Sequence, residues 1–176
     1  MYDIYTVVDH LHPFVIAYGL ILSWKVATAR WFLISYLIVA TFNLGMYPYA
    51  MQWSTHFYIF EVFLAIVFLV PIIYRRNLAL LIYRKSGIDF YRQIYEKQTL
   101  SAQECMIILI VTLSMIINLI TWFEVLAYKY YWLDNAYFKL YIRDNIQLLV
   151  QIILCGCFLT YAIKAESKEL NYENTE

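Results

Sequence analysis

The sequence predicts an all-α fold, a polytopic transmembrane helix bundle of five spans, or four if the first lies in the membrane interface. Three observations predict it. Hydrophobic residues make up 63% of the chain and charged residues 15%, a balance outside that of soluble globular domains. Several apolar runs approach the roughly 20 residues that a helix needs to cross lipid. Ionisable side chains interrupt these runs sparsely: Asp9, His10 and His12 in the first, Glu61 in the third and Glu124 in the fourth. A charge at the centre of a bilayer helix costs about 2.5–3.5 kcal/mol on insertion scales, so such residues belong near a helix end, against protein or beside water.

The 176 residues are expected to form one transmembrane domain, 1–164, followed by a polar, acidic and mobile cytoplasmic tail, 165–176. The first span is expected at 4–24. Its uninterrupted apolar part, Pro13 to Trp24, is short enough to suit an interfacial or re-entrant segment as well. The second, 29–49, opens with Trp31, Phe32, Leu33 and Ile34, and the third, 57–74, is almost unbroken Phe, Leu, Ile and Val. A cytoplasmic loop, 75–104, comes next; it begins as a continuation of the third helix past the bilayer edge, which Ser86-Gly87 then interrupts. Ile88, Tyr91, Ile94 and Tyr95 recur at helical spacing beyond that break, predicting a short amphipathic helix. The fourth span, 105–128, follows Ser101-Ala102-Gln103-Glu104, a capping-box pattern that fixes a helix start. The last, 145–164, carries Leu148, Leu149, Val150, Ile152 and Ile153. Cys155-Gly156-Cys157 within it lacks the spacer of a zinc or redox pair and is expected to pack closely on a neighbouring helix.

Charge sidedness orients the bundle. Five spans put Lys25, Arg30, Arg75, Arg76, Arg84, Lys85, Arg92, Lys97, Lys164 and Lys168 on one side, against Lys129, Lys139 and Arg143 on the other. By the positive-inside bias the amino terminus is outside and the carboxyl terminus inside. Tyr47, Tyr49, Trp53, Trp122 and Trp132 then fall at the outer interface, where amphipathic rings prefer to lie. The start Met1-Tyr2-Asp3 carries no basic targeting region, and a bacterial inner membrane is the expected location.

Once oriented, the intramembrane polar residues gather in the outer half: Asp9, His12, Asn43, Glu61, Asn118, Glu124, Gln147 and Gln151. At about 100° per residue, Ser114, Asn118, Thr121 and Glu124 form one stripe on the fourth helix, and Gln147, Gln151 and Cys155 share a face of the fifth. Asp9 and His12 lie side by side on the first, whereas His10 points away from His12, so the two histidines do not grip one metal. Two readings of this layer stand together. Interhelical hydrogen bonds and snorkelling account for such residues at about 0.6 kcal/mol per contact. Alternatively Asp9, His12, Glu61 and Glu124 form a site for a proton, a cation or a small ligand.

No phosphate-binding glycine loop, nucleophile elbow, zinc-protease helix or paired-cysteine signature is present, so neither an enzyme nor a cofactor or metal site is expected. Zero net charge argues against a general affinity for nucleic acid. The leading expectation is a non-enzymatic oligomeric scaffold, sensor or accessory subunit of a membrane complex. It would meet anionic lipid or a cytosolic protein through Arg75, Arg76, Arg84, Lys85, Tyr91, Arg92, Ile94 and Tyr95. The alternative is a channel or small transporter for ions or protons with an outward polar vestibule. A membrane effector of a bacterial antiviral system is a further role for such a bundle.

Overall fold

The backbone is described for residues 4–96 and 100–173, and side chains for 11–96 and 100–165, in a computed structural model. Among the described residues the chain is helical throughout, with no strand. Helix α1 (Ile4–Leu22) contains Pro13, which removes one intrahelical donor, and α2 (Ala27–Ala50) runs on into a 3-10 turn, Met51–Trp53. Helix α3 (Phe57–Ile73) is followed after Tyr74 by α4 (Arg75–Ser86), and the two are bent by 70°. The third helix therefore does not continue straight, as its apolar pattern suggests. Pro71 deletes a donor one turn before the break, which weakens the ladder there.

Gly87 ends α4 in the left-handed conformation, φ 65°, with its N–H donating to the Tyr83 carbonyl at 2.8 Å. A short helix, α5 (Asp89–Glu96), folds back on α4. Helix α6 (Ala102–Lys129) begins with the expected reciprocal cap: the Glu104 N–H donates to Ser101 Oγ at 3.2 Å and the Ser101 N–H to Glu104 Oε2 at 2.7 Å. A π-helical segment, Phe138–Arg143, leads directly into α7 (Asp144–Glu173). Helix α7 thus runs on to Glu173, into the stretch expected to be a polar, mobile tail. Ala165, Glu166, Lys168, Glu169 and Leu170 are all good helix formers, which accounts for the extension.

Three helical stretches are long and apolar enough to cross a membrane: Ala27–Trp53, Ala102–Lys129 and Phe138–Ala165. The bent pair α3–α4 makes a fourth if counted as one, and Leu11–Leu22 is a shorter apolar helix. Their outer faces carry Phe14, Ile21, Ile38, Phe63, Leu109 and Ile153, all exposed, as lipid-facing positions require.

Helix α1 packs on α2 and α7, α2 on α3, α3 on α6 and α6 on α7, which closes a five-helix ring. One half of this ring is filled by Ile16, Phe32, Leu33, Phe68, Ile107 and Phe158, all nearly inaccessible. Helices α1 and α7 approach closely at Gly19, where an added Cβ would lie 3.3 Å from that of Ala162. Gly156 shows nothing within 4 Å of such a Cβ, so within Cys155-Gly156-Cys157 the glycine makes no tight contact, while Cys157 packs against the core. At this filled end Arg75 Nη1 donates to Glu104 Oε1 at 2.9 Å and the Tyr161 hydroxyl donates to the same oxygen at 2.8 Å, tying α4, α6 and α7 together.

Candidate functional site

The other half of the ring is hollow. A cavity of about 660 Å³ lies between α1, α2, α3, α6 and α7, at the end where α2 and α6 finish and α3 and α7 begin. Its size is that of a pocket for a small organic molecule.

Three layers line it, because successive turns of each helix step down the wall. At the mouth stand Lys139 and Arg143 from the π-helical segment, with Asp144, Ser54, Phe57 and Tyr58. One or two turns in are Asn43, Glu61, Ser114, Asn118, Gln147 and Gln151. The floor is made by His12, Tyr36, Leu64, Phe68 and Leu154. His12 sits edge-on to Tyr36 with ring centres 5.3 Å apart, and Tyr36 in turn meets Phe158 at 4.5 Å and Phe68 at 4.6 Å, so the floor is packed rings.

The mouth is built by backbone geometry that sequence periodicity does not reveal. Glu124 leaves the polar layer and reaches across to the chain before α7, where its two oxygens accept the N–H groups of Phe138 and Lys139 at 2.8 Å each. A carboxylate here satisfies the orphan donors of a helix start and complements its dipole. The π winding that follows places Lys139 and Arg143 over the same ring: Lys139 Nζ lies 5.8 Å and Arg143 Cζ 4.8 Å from the Tyr58 centroid. Arg143 also pairs with Asp144 at 2.8 Å and donates to Asn118 Oδ1 at 3.3 Å. Ser54 holds a strained backbone, φ 39° and ψ −69°, beside this rim.

Several polar atoms in the site lack a protein partner among the described residues. His12 Nε2, Asn43 Oδ1 and Arg143 Nε are all buried and unbonded, and His12 is only 8% exposed. Ser114 and Gln147, by contrast, satisfy each other: the hydroxyl donates to Oε1 at 2.9 Å, and Nε2 donates to the Ser114 carbonyl at 3.3 Å. Buried polar groups without partners cost roughly 1–3 kcal/mol each. Three of the five such atoms among the described residues belong to side chains that line this cavity.

Of the eight residues expected in the polar layer, His12, Asn43, Glu61, Asn118, Gln147 and Gln151 line this one cavity. Glu124 is a helix cap instead, and the side chain of Asp9 lies outside the described residues, as does that of His10. Cys155, expected on the face of Gln147 and Gln151, is not among the lining residues, whereas Leu154 is. Lys139 and Arg143 entered the sequence reading only as outer-side charges. The cue available for them is four-residue spacing just before an apolar run.

The residues expected to dock lipid or protein are divided. Ile94 is wholly buried in a small cluster with Ala27 and Ala79, which Tyr95 also packs against. Tyr91 meets Trp31 edge-on at 6.2 Å, and Tyr95 lies under the Arg76 guanidinium at 5.4 Å. Arg75 is spent on Glu104. Arg84, Lys85 and Arg92 remain exposed, and Arg92 stands 3.6 Å from both Asp89 and Glu96.

Among the described residues no three histidines, cysteines or acidic side chains gather as a metal site. No protein-family model matches this chain, and neither a curated protein nor a solved structure resembles it.

Proposed function

We propose that this chain is a non-enzymatic, five-span membrane protein, amino terminus outside and carboxyl terminus inside, that binds a small polar solute in an outward-facing vestibule as a transporter or solute sensor. The observation that carries this is the hollow half of the ring, with buried, unbonded polar atoms of His12, Asn43 and Arg143 around it. The excess of basic residues at the filled end supports placing that end inside. The ring-packed floor and the buried Arg75–Glu104–Tyr161 network then separate the vestibule from the inner face. This arrangement favours solute binding over an open ion channel. It also favours solute binding over protein docking through 75–98, because Tyr91, Ile94 and Tyr95 pack on the protein itself.

A second role is favoured by one observation. The 70° turn at Tyr74 lays α4 close to the membrane plane if α3 stands upright, and α4 then presents exposed Arg84 and Lys85. Those two cations suit anionic headgroups at about 1 kcal/mol each.

The test is a thermal-stability screen of the purified protein in detergent against sugars, carboxylates, amines, polyols and zwitterions. At least one compound is expected to raise the midpoint of the native chain and to lose that effect when Ala40→Phe or Ala65→Trp, at two alanines of the lining, fills the cavity. Absence of any stabilising compound, or equal stabilisation of the filled variants, would overturn the reading.

A further inference from the structure

The vertical order of chemistry in the cavity is more specific than its polarity. Two cations, Lys139 and Arg143, converge on the Tyr58 ring at the mouth. Three residues further along α3, about 4.5 Å at 1.5 Å per residue, stands the carboxylate residue Glu61. The neighbouring helix α2 adds Asn43, whose buried Oδ1 accepts from no described group. Below these acceptors the wall becomes Leu64, Phe68, Leu154 and the Tyr36 ring, with His12 and its unbonded Nε2 among them. The cavity thus offers cationic donors, then acceptors, then a largely apolar floor that includes His12.

We infer that the vestibule takes an aromatic α-amino acid whose ring carries a polar hydrogen, of the tryptophan or tyrosine kind; this rests on the solute-binding reading above. A carboxylate fits between Lys139 and Arg143, where charge-assisted hydrogen bonds are strongest. An ammonium on the adjacent carbon reaches the Glu61 and Asn43 layer, one residue-scale step lower. The ring enters the apolar floor, and its N–H or O–H meets His12. The four charged residues of the wall, Glu61, Lys139, Arg143 and Asp144, sum to zero, so a zwitterion leaves the site neutral overall. A simple carboxylate would leave Asn43 Oδ1 unmet and bring a like charge toward Glu61. A simple amine would have to pass two cations and bring no carboxylate to them. Sites built on buried polar groups reject analogues that lack the matching group, because their own atoms are then left unpaired.

The experiment compares tryptophan with indole-3-propionate, which lacks the ammonium, and tryptamine, which lacks the carboxylate, by isothermal calorimetry on the full chain in nanodiscs. Tryptophan is expected to bind at least about tenfold tighter than either, a difference of about 1.4 kcal/mol. Arg143→Gln should abolish the preference over tryptamine while Glu61→Gln abolishes that over indole-3-propionate. 1-Methyltryptophan should bind less tightly than tryptophan, and that gap should close in His12→Phe. Either fragment matching tryptophan, or a sugar or polyol binding where tryptophan does not, would overturn the amino-acid assignment and leave the vestibule standing. Undiminished tryptophan binding to Ala65→Trp would also overturn it, by placing the ligand elsewhere. Silence from every compound in this panel and in the broader screen would remove both.

Discussion

Arg75 Nη1 and Glu104 Oε1 stand 2.9 Å apart with side chains only 5% and 3% exposed, joining the first residue of α4 to the first turn of α6. Glu104 has no spare oxygen: Oε1 also accepts from Tyr161, and Oε2 accepts the Ser101 N–H. One carboxylate therefore fixes the hinge at Tyr74, starts α6 and pins α7.

Breaking that pair from one side is expected to be severe. Arg75→Met leaves a buried carboxylate with no cation, a loss of roughly 3–5 kcal/mol. The double change Arg75→Met with Glu104→Leu should recover part of it, because the orphaned charge is gone, while the capping contribution stays lost. Unfolding of reconstituted protein by titrated denaturing detergent reads both, and equal stability of single and double variants would refute the account.

Glu124 predicts a local effect. Glu124→Ala removes acceptors from the N–H groups of Phe138 and Lys139, with a loss of about 1–2 kcal/mol as for other helix caps. Hydrogen exchange should accelerate at those two amides while the amides of α3 and of the interior of α6 keep their protection.

Two helical glycines should respond in opposite ways. Gly19→Val forces α1 off Ala162, where even a Cβ sits at 3.3 Å, and is expected to lose roughly 1–3 kcal/mol through overpacking. Gly156→Ala meets open space and should gain up to about 1 kcal/mol from helix propensity. The detergent-unfolding midpoint of each variant checks the pair.

The α4–α5 hairpin gives a fourth contrast. Ile94→Ala empties a fully buried position between Ala27 and Ala79 and should release α5, with about 2–5 kcal/mol lost locally. Arg92→Ala removes only solvent-exposed ion pairs and should change stability by at most about 1 kcal/mol. Exchange protection across 89–96 distinguishes them.

Much of this was legible from the chain. The capping box located the start of α6, since both of its partners lie within four residues. Apolar runs located α2 and α3 within about two residues, and outer-half polarity collected six of the residues that line the cavity. What escaped depends on contacts between distant segments. Arg75 looks like a headgroup anchor until Glu104, 29 residues on, is seen beside it. Glu124 falls on the polar stripe of α6 with Ser114 and Asn118, yet its oxygens are used by backbone 14 and 15 residues later. Periodicity assigns a residue to a face, and it carries no information about which neighbour that face meets. The π winding of Phe138–Arg143 is invisible for the same reason, because its residue types are ordinary for an α-helix.

That winding bears on how the chain can diversify. A π turn holds spare chain length relative to an α turn, each N–H reaching one residue further back. Insertion or deletion within Phe138–Arg143 alters which side chains crown the rim, while Gln147, Gln151 and Leu154 keep their register below. The rim behaves as an interchangeable fitting on a fixed wall, so the residues that crown the cavity can change while those below keep their places.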